Sequence, residues 1–325
     1  MRRIVSFAAA ALALACALGG AAQAQDYPSR PIKLVLPQPP GGAIDLISRA
    51  LGERLAEQMK QPVIVENVPG ANGGLAAGQV ARSAPDGYTL FMPVDTNLVV
   101  NPNLYPNLAY DPVRDFAPIS VLAKVSLVLV ANPKVTADTV RELIAFAKTN
   151  PGKLNYASIG LGTQSHLGME LFKMMTGTDI NMVSYRGTAP AMTDVVAGQV
   201  DIMFTGPPSA KAMSEGGKLK ILAVGGKRRL ALMPDVPTLD ESGVPGYELT
   251  GWFGMVAPAR TPEAVLDQLG REVRKAATDA RFGDRITSQG LEVVGGSAAQ
   301  MRALIEADTE KWAAVIKATG TRIPQ

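Results

Sequence analysis

The strongest constraint on this chain is its rhythm: short apolar runs alternate with amphipathic stretches almost from end to end, the signature of an α/β protein with largely parallel sheets. Ile32–Leu36 reads as a first strand, ending in the turn-rich Pro37-Gln38-Pro39-Pro40-Gly41-Gly42. Ile44, Ile47, Leu51, Leu55 and Met59 then recur at helical spacing. Further strands are expected at 62–66, 88–92, 121–131, 154–157, 180–185, 201–205 and 219–224, with helices at about 164–175 and 189–197. Thr139 with Glu142, and Ser297 with Gln300, fit capping boxes that open helices. Thr261-Pro262-Glu263 reads as a third helix start, with proline at the first position. The strand and helix units fall into two groups, and the changeovers near 121–131 and 247–257 are extended rather than floppy. With 325 residues, two lobes are expected, and two strand-like crossings between them would form a hinge.

The first residues read as an export signal. Met1-Arg2-Arg3 is a basic start, 4–18 is apolar but short for a bilayer, and Ala22-Gln23-Ala24 is an A-x-A cleavage site, so 1–24 is expected to be removed. A rival reading makes Cys16 a lipid-anchored first residue, although Ala13-Leu14-Ala15 is a mediocre lipobox. Cleavage takes away the single cysteine and two of the 32 basic residues, leaving 30 against 29 acidic. Such a chain suits the periplasm without needing disulfides. No later segment reaches membrane-spanning length without charges, so the mature protein is expected to be exported and soluble.

Composition excludes several function classes. A formal charge of +3 is too small an excess for a nucleic-acid binder. One histidine and one cysteine leave no material for a metal cluster or a histidine relay, so no metal and no cofactor are expected.

Two loops carry the candidate chemistry. Residues 37–45 place Gln38, Pro40, Gly41, Gly42, Ala43 and Asp45 between a strand and a helix, where backbone N–H groups and the helix N-terminus favour an anion. Neither G-x-x-x-x-G-K-[ST] nor G-x-G-x-x-G is present there. An ordinary βα turn, with Asp45 as a first-turn acid, is the plain alternative. Residues 158–166 repeat the design: Ser158, Gly160, Gly162, Thr163 and Ser165 supply hydroxyls and amides suited to a carboxylate, or Thr163 or Ser165 merely caps the helix. Asp95, Thr96 and Asn97 after the third strand, and Thr205 after a second-lobe strand, offer polar groups in the same relative place. Arg186 can pair with a carboxylate or stand as a solvated arginine. His166 has no G-x-S-x-G elbow to serve, so it reads as a structural or ligand-facing polar group rather than a catalytic base.

Many short motifs, in order over 26–325, resemble the extracytoplasmic solute receptors of tripartite tricarboxylate transporters, the Bug family. They include Pro39-Pro40-Gly41-Gly42 with Asp45, Glu66-Asn67 with Pro69-Gly70, Pro85-Asp86-Gly87-Tyr88-Thr89-Leu90, Tyr110-Asp111-Pro112 and Asn150-Pro151-Gly152-Lys153-Leu154-Asn155-Tyr156-Ala157-Ser158. Pro234-Asp235-Val236-Pro237-Thr238 and Trp252-Phe253-Gly254 complete the series. The resemblance implies a type II periplasmic-binding-protein fold of two Rossmann-like lobes, with 26–125 plus 249–325 as lobe 1 and 126–248 as lobe 2. It also implies a small carboxylate gripped in the interlobe cleft, monomeric action and delivery to a two-component membrane permease. Three positions depart from the pattern: Gln38 stands where an aromatic is common, Ala43 where a third glycine is frequent, and Thr205-Gly206 where Asp-Asn is common. These changes imply a more polar or more anionic solute. Two other classes remain open, a periplasmic ligand sensor acting on a membrane sensor protein and a hydrolase dependent on His166.

Overall fold

A computed structural model describes residues 27–322. The leader at 1–24 and the Cys16 alternative lie outside the described residues. Among the described residues, eleven strands form two sheets. The first is ordered β11(Leu291–Val293), β4(Phe116–Ser126), β10(Thr250–Pro258), β3(Thr89–Phe91), β1(Ile32–Leu36) and β2(Val63–Asn67). The second is ordered β7(Asn181–Ser184), β6(Asn155–Ser158), β8(Ile202–Thr205), β5(Val128–Ala131) and β9(Lys220–Val224). The helices in chain order are α1(Ala43–Met59), α2(Gly74–Ala81), α3(Asp95–Val99), α4(Asn101–Leu104), α5(Val140–Thr149), α6(Gln164–Thr176), α7(Thr188–Ala197), α8(Pro207–Glu215), α9(Glu263–Ala277), α10(Ala280–Thr287) and α11(Ala298–Thr319).

The sheets are mixed rather than largely parallel. β1, β2 and β3 run parallel, as do β6, β7 and β8, but every pair involving β4, β5 or β10 is antiparallel. The cause is the connectivity: β4 carries the chain out of the first sheet into β5, and β10 brings it back. Gly225 N–H donates to Leu127 O at 2.8 Å and Leu249 N–H to Gly225 O at 2.7 Å, so the outgoing and returning segments are tied together where they cross. Because β4 is parallel to β1 and β3, and because Thr205 at the end of β8 pairs with Val128, the carboxyl ends of both parallel sets face the crossing. This placement positions the loops considered below.

Local sequence explains the helix starts. In α5, Glu142 N–H donates to Thr139 Oγ1 at 3.2 Å while Thr139 N–H donates to Glu142 Oε2 at 3.1 Å. Ser297 and Gln300 do the same for α11, at 3.2 and 2.7 Å. The third expected start differs: α9 begins at Glu263 behind Pro262, and Thr261 Oγ1 is buried without a hydrogen bond instead of capping. Proline fixes its own φ, but it places the threonine one residue too far from the first turn. Pro207 and Pro208 open α8, since prolines at the first two positions are pre-set for a helix and lack N–H groups that would need partners.

Three apolar clusters fill the layers. One lies on the outer face of each sheet. The third is continuous across the crossing, joining Phe91, Val99, Trp252 and Trp312 to Tyr156, Leu167, Phe172 and Tyr247. Trp252 on β10 is buried, and its Nε1–H donates to Asp308 Oδ2 of α11 at 2.8 Å. Burial pushes the Asp308 carboxyl above its ordinary range, so this bond offsets a desolvated group. Trp252→Phe is therefore expected to lower unfolding free energy by about 2 kcal/mol, read from the urea midpoint at unchanged slope.

Candidate functional site

Among the described residues, α5, α10 and α11 receive side-chain caps from Thr139, Asp279 and Ser297. α1, α6 and α7, which follow β1, β6 and β7, start at Gly42, Thr163 and Gly187 with no side-chain cap; α2, α3, α4, α8 and α9 also lack one. First-turn N–H groups have no partner inside a helix, and the helix dipole adds about half a positive charge there. The first turns of α1 and α6 thus carry N–H groups that no side chain caps.

The first loop is anchored by Asp45. Its Oδ2 accepts from Gly41 N–H at 3.1 Å and Arg49 Nε at 3.0 Å; its Oδ1 accepts from Arg49 Nη2 at 2.9 Å and Asn67 Nδ2 at 3.1 Å. The Arg49 hydrogen bonds outweigh burial and hold the carboxyl below its usual range. Both oxygens are occupied, so Asp45 is neither a free acid for a ligand amine nor merely a dipole partner. It binds the loop to α1 and, through Asn67, to the end of β2. Asn67 also donates to Gln38 O at 2.9 Å, leaving the Gln38, Pro40 and Gly41 surfaces exposed and Gly42 and Ala43 half-buried.

The second loop turns its hydroxyls inward. Ser158 Oγ is buried and exchanges bonds with Gly160 O and N–H; Thr163 Oγ1 donates to Gly160 O at 2.7 Å; Ser165 Oγ accepts from Ile159 N–H at 3.3 Å. His166 is buried and its Nδ1 accepts from Gly162 N–H at 3.3 Å. Burial lowers its pKa, which suits the neutral acceptor role. Sequence reasoning offered these hydroxyls to a carboxylate; the structure spends them, together with the N–H groups of Ile159, Gly160, Gly162 and Thr163, on shaping the loop, so the N–H groups without a side-chain cap are those of the first turn of α6.

Asp95, Thr96 and Asn97 also depart from expectation. They form the first turn of α3 and are buried. Asn97 Oδ1 accepts from Val94 N–H at 3.0 Å and its Nδ2 donates to Asn72 O at 2.9 Å. Asp95 Oδ1 accepts from Thr96 N–H at 2.7 Å, and Oδ2 accepts from Gln164 Nε2 at 2.7 Å. Thr205 is buried at the end of β8, and its Oγ1 makes no hydrogen bond among the described residues. Arg186 is exposed after β7 and forms no ion pair among the described residues. The second loop packs against α4: a side chain at Gly162 would run into Leu104. Sequence reasoning missed Arg49 and Gln164; Arg49 was detectable as the i+4 partner of Asp45. A separate groove of about 540 Å³ lies on the β11–β9 side, lined by Lys124, Arg228, Leu232, Thr250 and Glu292 among others and by none of the candidate residues.

Asp95 carries a measurable signature. Burial pushes its carboxyl up to about 7, against the opposing bond from Gln164. The folded state therefore holds a proton that the unfolded chain has lost above the ordinary carboxylate range. That contribution to stability is complete at acid pH and disappears as pH rises through about 7. Melting temperatures of wild type and Asp95→Asn, measured from pH 4 to 8, are expected to converge on the acid side. The wild type should fall away from the variant as pH rises; parallel curves would show that Asp95 keeps an ordinary pKa.

Comparison with known proteins gives a consistent answer. The family model described as "Tripartite tricarboxylate transporter family receptor" matches residues 47–321. BugT of Bordetella pertussis is 36% identical over 301 residues, covering 92% of each chain. An R. palustris protein solved with adipate superposes with a TM-score of 0.81 at 34% identity, over 92% of this chain and all of that one. MatC from Rhodopseudomonas palustris, solved with bound malate, gives 0.77 at 31% identity, over 89% of this chain and all of that one. With its two mixed α/β sheets and these relatives, this chain belongs to the tripartite tricarboxylate transporter receptor family, as a solute-binding receptor of the Bug group and not an enzyme.

Proposed function

We propose that this receptor captures a small dicarboxylate in the periplasm, between the N-termini of α1 and α6, and delivers it to a two-component membrane permease. The observation that carries this reading is that α1 and α6, which follow the glycine-rich loops after β1 and β6, begin without side-chain caps, whereas α5, α10 and α11 satisfy first-turn amides with side chains. Acids near that end are already neutralised, Asp45 by Arg49 and Asn67, which suits an anionic guest. Exposed Arg186 adds a cation that matches a carboxylate fork. Adipate and malate, the acids in the two solved relatives, each carry two carboxylates, and two uncapped N-termini, one in each group of parallel strands, would offer one cradle per carboxylate. The basic start, apolar 4–18 and A-x-A site support export.

Thermal melting of the mature protein against adipate, malate, citrate, acetate and neutral amino acids tests this. A ligand at a hundred times its dissociation constant adds about 2.7 kcal/mol, a visible shift in the midpoint. Dicarboxylates are expected to give the largest shifts, and Asp45→Ala to weaken all acids roughly tenfold because Gly41 and Asn67 lose their anchor. Stabilisation by amines or neutral solutes with none from any acid would reject the reading.

A further inference from the structure

Several side-chain contacts tie the segments at the crossing, among them Lys311 Nζ to Glu248 O at 2.7 Å and two pairs that join side chain to side chain over long range. Arg228 Nη2 meets Glu292 Oε1 at 3.5 Å, with the side chains 84% and 63% exposed, a geometry that contributes little. The bond from Gln164 to Asp95 is of another kind. Asp95 is 1% exposed and the distance is 2.7 Å. Gln164 is the first residue of α6, immediately after the second ligand loop, and Asp95 is the first residue of α3, after β3. Gly251 of β10 lies directly beneath: a Cβ there would collide with the Gln164 amide, so the side chain lies flat on the returning strand. One hydrogen bond thus joins a first-sheet helix to the second ligand loop against the strand that links the sheets. The charged groups facing it are Asp308 and Lys311 of α11; α6 itself presents only the neutral amide.

We propose that Asp95 and Gln164 are a positioning pair whose hydrogen bond draws the two ligand loops together from inside the seam, setting the affinity and residence time of the bound anion without touching it. The inference rests on the carboxylate-binding reading above. A bond to an ionised acceptor, made with the loops together and lost when they separate, shifts that equilibrium by its differential strength alone. It therefore changes affinity for all acceptable acids alike and leaves their order unchanged.

The test uses the full mature chain at pH 8, where Asp95 is mainly ionised, with adipate and malate as probes. Cooperative melting of each variant is checked first. Gln164→Met removes the donor without adding charge; affinity is expected to fall roughly tenfold with unchanged acid order, chiefly through faster release. Gln164→Glu sets two carboxylates face to face and should weaken binding further, while X-ray scattering of the ligand-free protein shows a larger radius of gyration. Adding Asp95→Asn to that variant reverses donor and acceptor and should recover most of the affinity and the compact radius. Absence of rescue, or unaltered binding in both single variants, would overturn the pair. Should wild type bind neither probe nor any other acid, the carboxylate reading itself fails; the scattering comparison of ligand-free proteins still decides whether the pair holds the loops together.

Discussion

The antiparallel pairing of β4 with β10 is the constraint on which the rest of this molecule depends. From Thr250 opposite Ser126 to Pro258 opposite Phe116, one strand leads the chain out of the first sheet beside the strand that returns it. That pairing aims the carboxyl ends of β1 and β3 at those of β6 and β8. Helices that follow these strands then start at the crossing end. Any anion-favouring character there is a consequence of connectivity, since a helix N-terminus attracts anions wherever it is placed.

A continuous core stiffens this arrangement. Trp252 and Trp312 connect the apolar layer under the first sheet to Tyr156, Phe172 and Tyr247 under the second, and α11 spans the join. Near that join sit Asp95, Asp308 and Lys311, each with a pKa displaced by burial toward the neutral form. Their hydrogen bonds, Asp95 with Gln164, Asp308 with Trp252, and Lys311 with Glu248 O at 2.7 Å, all connect separate elements. Buried polar groups are costly unless satisfied, so these contacts allow few alternative arrangements of the parts they link.

Much of the framework was legible in the chain. The stripe from Ile44 to Met59 is α1, the Thr139 and Ser297 boxes open α5 and α11, and β1 occupies its expected residues. The short α3 escaped because a five-residue helix shows too little periodicity to register, so Asp95, Thr96 and Asn97 looked like loop. The sequence singled out the loops at 37–45 and 158–166, and the structure reassigns individual groups within them. Asp45 became an anchor, Ser158 and Thr163 folded onto Gly160, and His166 accepted an amide from its own loop.

The sequence by itself determined where β1, α1, α5 and α11 begin, that glycine-rich turns precede α1 and α6, and which receptor family the chain resembles. Those properties reside in residues a few positions apart, where period, capping and turn chemistry act. Only the tertiary structure decided which polar groups remain free. Whether a hydroxyl, carboxylate or amide is available depends on every partner within about 3 Å. Gln164, unremarkable as a letter at the start of a helix, acquires its place only because folding brings it to an aspartate 69 residues earlier in the chain.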